Sequence, residues 1–245
     1  MQPGGIALSP FGTEKGDKLK PISAIINARI ESSRIPNKMV RPFAGTSLVK
    51  IALEKLNQLD FFDHRLFAVG EAELKKYLNP YKHVELLERN PEAVARGPHE
   101  AVITFEHYLR VPTPYIFVIN ACAPFLTTDI IRAAYDIFQE TDCRSYMSAV
   151  PTREWVFTED GFALTHKDPY ALQNTSHGQV FYKATHSFYI INRDYFRETN
   201  GLLWTLTPND PYLIKIPPDC AIDIDTEIQF EFASFLYERR KQGKS

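Results

Sequence analysis

Short apolar runs alternate with amphipathic segments along most of this chain. Continuous apolar runs of the kind that form buried strands lie at residues 24–26, 66–69 and 115–119. Apolar residues interrupted by or alternating with polar ones predict further strands at residues 84–87, 145–150, 212–216 and 221–225. Helical spacing of apolar residues predicts helices that begin at Thr46 or Ser47, cover 71–78 and 100–110, begin again at Thr127 or Thr128, and follow Thr226. Strands that alternate with helices in this way predict an α/β domain with a doubly wound, mainly parallel sheet and right-handed crossovers.

The spacing of apolar residues also predicts which helix faces are buried. In the segment 100–110 the predicted inward residues are Val102, Phe105 and Leu109. In the last helix they are Ile228, Phe232, Phe235 and Leu236. Thr226 and Gln229 have the spacing of a capping box, which predicts that this helix begins there.

The sequence predicts a short lead-in followed by one domain. Residues 1–20 are rich in Gly, Pro, Lys and Asp and lack an apolar core, which predicts a flexible lead-in and not a signal peptide. Residues 21–245 have the length of a single domain. Asp160-Gly161 between two short apolar runs predicts a hairpin. The aromatic, aperiodic stretch 151–186 around this hairpin predicts a small insertion lobe.

Composition narrows the classes of function. A net charge of −2 leaves no basic footprint, so we expect no nucleic-acid partner. No stretch approaches the ~20 apolar residues that a membrane span needs, so we expect no membrane partner. The three cysteines are scattered without paired spacing, which indicates reduced thiols in a cytoplasmic protein.

A polar loop follows the first predicted strand and carries fixed positive charge. Arg29, Arg34 and Lys38 lie within ten residues, together with Ser32 and Ser33. Guanidinium, ammonium and hydroxyl groups placed just beyond a buried strand suit a polyphosphate, because they neutralise its charge and donate to its oxygens. The alternative is a solvated basic loop.

Two acidic residues near the other end of the chain suggest a metal site. Asp223 and Asp225 stand two apart, so on a strand both carboxylates would point to one face. Two such oxygen donors suit Mg²⁺, which completes its shell with phosphate oxygens and waters. For Asp225 the alternative is helix capping alone. Arg29, Asn120 and Asp223 each follow or end a predicted strand, where ligands bind in open α/β sheets.

These two segments together resemble the signatures of a known family. The loop reads Ala-Arg-x-x-Ser-Ser-Arg-x-Pro-x-Lys over residues 28–38, and the later segment reads Ala-Ile-Asp-Ile-Asp-Thr-Glu over residues 221–227. This pair resembles the sugar nucleotidyltransferases, above all the acylneuraminate and 3-deoxy-octulosonate cytidylyltransferases. The resemblance implies a Rossmann-like nucleotidyltransferase fold, CTP as co-substrate and Mg²⁺ as cofactor.

The resemblance also implies roles for individual residues. The residues expected to hold the nucleotide are Ala28, Arg29, Ser32, Ser33, Arg34, Lys38 and Asn120. Asp223 and Asp225 are expected to bind the metal, while Arg29, Lys38 and Asp225 are expected to be catalytic. The segment 120–127 matches the family at Pro124 and Thr127 but lacks the acidic residue of the octulosonate branch. Arg89 and Arg96 are further candidates for the nucleotide side, with surface arginine as the alternative.

The sugar side of the resemblance rests on the segment before the strand near residue 190. Lys183 stands near the position of a family arginine that binds the sugar carboxylate, and His186 matches a histidine of the octulosonate branch. A structural role is the alternative for His186. In the family an insertion such as 151–186 covers the sugar and forms much of a dimer interface, so we expect a homodimer. A plain surface hairpin is the alternative.

The sequence therefore predicts a cytidylyltransferase that transfers CMP from CTP to the anomeric hydroxyl of an acidic 2-keto-3-deoxy sugar, sialic-acid-like or octulosonate-like, and releases pyrophosphate. One alternative is a nucleotidyltransferase of the spore-coat polysaccharide type that uses another nucleotide or sugar. Another is a non-catalytic nucleotide-binding homologue, because Ile30, Glu31 and Asn37 replace the small residues common in such loops.

Overall fold

The computed structural model of the protein describes residues 19–94, 100–165 and 179–243. Seven strands form one sheet: β1 (Ile22–Asn27), β2 (Arg65–Val69), β3 (Glu85–Glu88), β4 (Tyr115–Asn120), β5 (Tyr146–Thr152), β6 (Phe181–Asn192) and β7 (Tyr212–Lys215). The helices are α1 (Leu48–Gln58), α2 (Ala72–Lys75), α3 (Pro91–Val94), α4 (Ala101–Thr104), α5 (Thr128–Glu140), α6 (Arg193–Glu198) and α7 (Glu227–Lys241). Short 3₁₀ turns cover Lys76–Leu78, Glu106–Arg110 and Pro218–Cys220.

The strand order is β3-β2-β1-β4-β6-β5-β7, and every pairing except those of β6 is parallel. The predicted α/β class and mainly parallel sheet are therefore confirmed. Connections run outward from β1 through β2 to β3 on one side, and β4 continues on the other side. Open sheets form ligand crevices at such a reversal, beyond the carboxyl ends of the strands. Asn27 and Asn120 end these two central strands in register.

Apolar side chains cover both faces of the sheet. The larger face buries Ile26, Phe67 and Phe117 against the helices α1, α5 and α7. The smaller face buries Ile25 and Tyr108 beneath the 100–110 segment and α6. Within the described residues, none of the helices has the length and apolar character that a membrane span would need. Two packed layers thus hold the ends of β1 and β4 in fixed positions.

The segment 100–110 is not one continuous helix. It divides into α4 and a 3₁₀ turn, and His107 and Tyr108 are fully buried there. Val102, Phe105 and Leu109, predicted to point inward, are only partly buried. The prediction of one continuous helix was therefore wrong, whereas Phe105 and Leu109 pack against the core of the smaller face as predicted.

Three of the four α7 residues predicted to point inward are exposed, and the fourth, Leu236, packs against the core. Phe230 and Ala233 are buried, whereas Ile228, Phe232 and Phe235 are exposed by 79%, 57% and 56%. Leu236 is only partly buried. Phe43 decides the orientation, because its ring packs 5.4 Å from that of Phe230 and 5.6 Å from that of Tyr237.

Residues 221–225 do not form a strand. They follow the 3₁₀ turn Pro218–Cys220 as an irregular segment that leads directly into α7. The expectation that Asp223 ends or lies on a strand was therefore wrong. Ile224 is fully buried between the two aspartates, and its amide donates to the Cys122 carbonyl at 3.2 Å. The buried Ile224 side chain and hydrogen bonds from Lys38 and Asn120 anchor the segment in place of a strand partner.

The predicted hairpin around Asp160-Gly161 is present as a short ladder. Thr158 N donates to Phe162 O and Leu164 N donates to Val156 O, both at 2.8 Å. Gly161 has φ +87°, a backbone conformation that favours glycine at this turn. Strand β6 begins at Phe181, inside the stretch 151–186 assigned to the insertion lobe. Arg96, the lead-in up to residue 18 and part of the insertion (166–178) lie outside the described residues.

Candidate active site

The loop after β1 closes around a cavity of about 180 Å³. The cavity brings together six residues predicted from the sequence to bind nucleotide: Ala28, Arg29, Ser32, Ser33, Arg34 and Lys38. Asn27, Met39 and Cys122 also line it, although sequence reasoning did not single them out. Glu31 is an acidic member of the same wall. The loop thus folds into a concave surface with two exposed arginines, Arg29 and Arg34, and the buried Lys38.

Local contacts give the loop its shape. Ile35 is fully buried, and its amide donates to Ser32 Oγ at 3.2 Å. Asn37 has φ +54°, which asparagine tolerates better than most residues, and its carbonyl accepts from the amides of Val40 and Arg41 at 3.0 Å. Glu71 accepts from the Ile30 amide at 2.8 Å. The loop is therefore anchored at its start, middle and end without glycine.

Lys38 and Arg34 join this loop to the acidic segment. Lys38 is buried, and its Nζ donates to the Ile224 carbonyl at 2.6 Å and lies 3.6 Å from Asp225 Oδ1. Arg34 Nη2 lies 2.7 Å from the same carboxylate oxygen. The two predicted motifs, about 190 residues apart in the chain, therefore meet at one place.

Asn120 links Asp223 to the end of β4. Its Nδ2 donates to Asp223 Oδ1 at 3.2 Å, and its Oδ1 accepts from the Cys122 amide at 2.8 Å. Asn120 is absent from the wall of the loop cavity, so the structure places it beside the metal candidates. Burial and the neighbouring Asp225 carboxylate raise the pKa of Asp223.

This pair of carboxylates fits a divalent cation. A cation bound beside both carboxylates would offset the repulsion that Asp223 experiences from its neighbour. Among the described residues there is no cluster of three or more His, Cys, Asp or Glu side chains that could hold a metal. Mg²⁺ at Asp223 and Asp225 would thus take its other ligands from phosphate and water, as it commonly does.

Asp225 is not the cap of α7. Thr226 occupies that position, with its side chain accepting from the Gln229 amide at 3.3 Å, and Gln229 Oε1 accepts from the Thr226 amide at 2.9 Å. This confirms the predicted capping box and removes capping as the role of the Asp225 carboxylate. The carboxylate stays partly exposed beside Arg34 and Lys38.

A neutral polar network that sequence reasoning missed lies behind the loop cavity. Asn27 Oδ1 accepts from His107 Nε2 at 2.8 Å, and Asn27 Nδ2 donates to Tyr108 Oη at 2.7 Å. The hydroxyls of Tyr108 and Tyr189 lie 2.9 Å apart. Burial, with the charges of Arg89 and Arg110, lowers the pKa of His107 to about 3, so its ring is neutral. The network fixes the Asn27 amide at the start of the loop.

Lys183 and His186 do not line the loop cavity. Both are exposed on the first half of β6, and His186 has φ +51°. Because Ile119 pairs with Phe188, this half of the antiparallel strand extends past the carboxyl end of β4. The two residues therefore lie on the same edge of the sheet as the loop.

Backbone carbonyls hold the Arg89 side chain in this fold. Its side chain is buried, and Nη2 donates to the carbonyls of Ala93 at 3.1 Å and Thr104 at 3.0 Å. Burial lowers its pKa. Surface exposure, the alternative considered for it, is wrong, and its guanidinium is engaged by backbone.

Comparison with solved structures gives the fold first. The fold is similar to that of CMP:2-keto-3-deoxy-manno-octonic acid synthetase complexed with CTP, with a TM-score of 0.62 and 11% identity over 90% of this chain and 100% of that one. It is also similar to 4-diphosphocytidyl-2C-methyl-D-erythritol synthase from Anaerococcus prevotii, with a TM-score of 0.64 and 14% identity over 90% and 97%. The chain has the Rossmann-like fold of the nucleotidyltransferases.

Sequence comparison then gives the family. Residues 23–218 match the model of the family described as cytidylyltransferase, and the chain belongs to that family. It is 21% identical to the post-translational flagellin modification protein B of Campylobacter coli, over 92% of this chain and 99% of that protein. It is 22% identical to the pseudaminic acid cytidylyltransferase of Campylobacter jejuni, over 87% and 95%. The chain is thus a nucleotidyltransferase enzyme with CTP as its nucleotide substrate, as the sequence predicted.

Proposed function

We propose that this enzyme transfers CMP from CTP to the anomeric hydroxyl of an acidic 2-keto-3-deoxy sugar of the sialic-acid-like class. The observation that carries the proposal is the meeting of Arg34 and Lys38 with Asp225. A polyphosphate-binding loop beside a carboxylate pair is the arrangement that nucleotidyl transfer requires. The relatives named as pseudaminic acid cytidylyltransferases support the class of acceptor.

In the proposed reaction the sugar hydroxyl attacks the α-phosphorus of CTP and pyrophosphate leaves. Arg29, Arg34 and Lys38 hold the β- and γ-phosphates and neutralise the charge that develops on the leaving group. Ser32, Ser33 and the Ala28 backbone add hydrogen bonds to the phosphates. Positioning and fixed charge supply most of the catalysis in an in-line displacement of this kind.

Asp223 and Asp225 are the residues that would hold Mg²⁺, with Asn120 orienting Asp223 through the 3.2 Å hydrogen bond. When bound, the cation supplies Lewis-acid stabilisation of the phosphate oxygens. The exposed Arg34 guanidinium, which contacts Asp225 at 2.7 Å, would turn to the triphosphate when CTP binds.

Lys183 and His186 are proposed to contact the sugar. They project from β6 beyond the edge of the sheet where the loop lies. The Lys183 ammonium would attract the sugar carboxylate as a point charge, with less directionality than a bidentate arginine. We also propose that residues 21–245 form a single domain with a small lobe near residues 151–186, and that the protein is cytoplasmic.

The lobe is proposed to form the interface of a homodimer. Phe157, Phe162 and Leu164 are exposed by 54%, 70% and 54% on the hairpin. Clustered exposed apolar side chains commonly mark interaction surfaces. Sedimentation of the wild type and of Phe162→Ser/Leu164→Ser tests this, since the proposal requires a dimer that the double variant weakens. A wild-type monomer at micromolar concentration would exclude it.

A pyrophosphate-release assay tests the reaction. It combines Mg²⁺, each of the four nucleoside triphosphates and a panel of 2-keto-3-deoxy sugar acids. We expect release with CTP and one acid, and its loss in Asp225→Ala but not in Glu227→Gln. Release with another nucleotide would indicate the spore-coat polysaccharide type. If no pyrophosphate is released with any acid of the panel while CTP still binds, the result would favour a non-catalytic homologue.

A further inference from the structure

A second cavity lies away from the loop, between α1, residues 124–128 and the last turns of α7. Its volume of about 400 Å³ is more than twice that of the loop cavity. Lys55, Arg240 and Lys241 line it, and Glu54 is the single acidic residue among its described lining. The cavity therefore carries an excess of positive charge that the proposed reaction does not use.

Lys55 is a buried cation without an acidic partner. Its side chain is 8% exposed, and its Nζ donates to the Ala123 carbonyl at 3.0 Å. In the described part of the chain no carboxylate lies within ion-pair distance of this ammonium. An ammonium has three donors, and burying its charge without a counter-ion is costly. Burial accordingly lowers the pKa of Lys55 to about 7.

The other two cations keep donors for a ligand. Arg240 Nη2 donates to Asp219 at 2.8 Å, which leaves most of its five N–H groups, and its guanidinium stacks 4.8 Å from the Phe125 ring centroid. Among the described residues, Lys241 Nζ donates to one partner, the backbone carbonyl of Ala44, at 3.2 Å. The aromatic side chains of Phe125 and Tyr237 form apolar wall between these charges. The arrangement suits a multivalent anion with space beside it.

We propose that this cavity is a second anion site, which binds a small phosphorylated compound through Lys55, Arg240 and Lys241. Phosphate is the class favoured, because it is a multivalent anion whose oxygens accept from several donors at once. The occupant would supply the counter-charge that the Lys55 ammonium lacks. This site shares no residue with the proposed sugar contacts, so it does not depend on which sugar the enzyme uses.

The site shares a backbone turn with the candidate active site. Lys55 Nζ donates to the carbonyl of Ala123. The amide of Ala123 in turn donates to the carbonyl of Asn120 at 3.2 Å. The Asn120 side chain donates a hydrogen bond to the Asp223 carboxylate. An anion in the second cavity therefore contacts the ammonium that fixes the turn carrying Asn120.

Binding of inorganic phosphate tests the proposal. The background is Arg29→Met/Arg34→Met, which removes two exposed cations of the loop so that phosphate bound there is suppressed. Calorimetry at pH 7 and constant ionic strength should show one remaining site. Adding Lys55→Met should weaken it at least tenfold, and adding Lys241→Gln about threefold. Lys50→Gln, an exposed lysine of the same helix, should change nothing.

Different results would overturn the site itself and its assignment to phosphate. No phosphate binding in the loop variant, or binding that Lys55→Met and Lys241→Gln leave unchanged, would overturn the site. Acetate bound as tightly as phosphate would overturn the assignment to phosphate. If Lys55→Met fails to fold, Arg240→Gln joins Lys241→Gln as the test, and the pair must weaken binding at least tenfold. CTP turnover, measured separately, reports on the proposed reaction and not on this site.

Discussion

The Arg34 guanidinium lies 2.7 Å from the Asp225 carboxylate, so a candidate phosphate ligand and a candidate metal ligand neutralise each other. Lys38 lies 3.6 Å from the same oxygen. Without substrate, the charges that would hold the triphosphate are thus partly engaged by the residue that would hold the cation. Phosphate binding at Arg34 should free Asp225 for the metal, and metal binding at Asp225 should free Arg34 for phosphate. The two binding events should therefore be coupled.

Asp225→Asn should separate these effects. Removing the carboxylate frees Arg34 and Lys38, so CTP in the presence of a chelator should bind about two- to fivefold more tightly, the range expected for a partly exposed ion pair. Turnover with Mg²⁺ should fall on the order of 100-fold or more, because a metal ligand is lost. Calorimetry without metal and pyrophosphate release with metal measure the two changes.

Glu227→Gln is the matched control, because Glu227 pairs with Arg41 at 2.6 Å between the same two segments. It should change neither quantity by more than about twofold, since the pair is largely solvated. Weaker metal-free binding in Asp225→Asn would contradict the coupling.

His107 should make the free energy of unfolding depend on pH. Its pKa in the fold is about 3, below the ordinary value of 6.5, so the unfolded chain takes up the proton first. Stability contributed by the neutral ring is present above about pH 6.5 and is lost as the pH falls, at up to ~1.4 kcal/mol per pH unit. Denaturant unfolding from pH 7 to pH 4 measures this slope.

His107→Gln should reduce that slope by about one proton, because glutamine does not titrate. The exposed His64, changed to glutamine in the same way, provides the control and should leave most of the slope in place. A slope that is identical in the wild type and in His107→Gln would show that this ring does not carry the pH dependence.

Tyr108→Phe should destabilise the protein by about 1–3 kcal/mol, since it leaves the Asn27 amide and the Tyr189 hydroxyl without a buried partner. Tyr81→Phe removes an exposed hydroxyl that makes one long contact of 3.4 Å, and should cost less than about 0.5 kcal/mol. Urea unfolding of both variants measures the difference. Equal costs would argue against the network as a stabilising element.

Truncating a side chain should destabilise the protein much more on the buried side of α7 than on its exposed side. Phe230→Ala removes a buried ring that contacts Phe43 and should cost about 3–5 kcal/mol. Phe232→Ala, two residues away on the exposed side, should change the free energy of unfolding by less than about 0.5 kcal/mol in the monomer. Thermal unfolding at low protein concentration compares them. A large loss in Phe232→Ala would show that this face is covered.

The central sheet and the loop could be predicted because their signals are local. β1 and β4 are continuous apolar runs, and the cations of the loop follow β1 within a dozen residues. The capping box of Thr226 and Gln229 depends on a spacing of three. Each of these features needs only its own few residues, and the structure has them where the sequence placed them.

Other features depend on distant contacts and could not be predicted locally. α7 carries large apolar residues on several sides, so its period defines no single face, and Phe43 selects Phe230. Residues 221–225 alternate like a strand but pair with no strand, and the buried Ile224 with the contacts of Lys38 and Asn120 anchors them instead. The Asn27 network joins residues about 80 positions apart, and nothing near any one of them indicates the others.

The way in which β5 and β6 pair gives the chain a modular layout. Thr152 at the end of β5 pairs with Phe181 at the start of β6, so the chain leaves the sheet and returns to it at adjacent points. A segment with closely spaced ends can be exchanged without moving the elements that flank it. Residues 153–180 can therefore diverge between relatives, or be grafted as a cassette, while the half that handles CTP keeps its geometry.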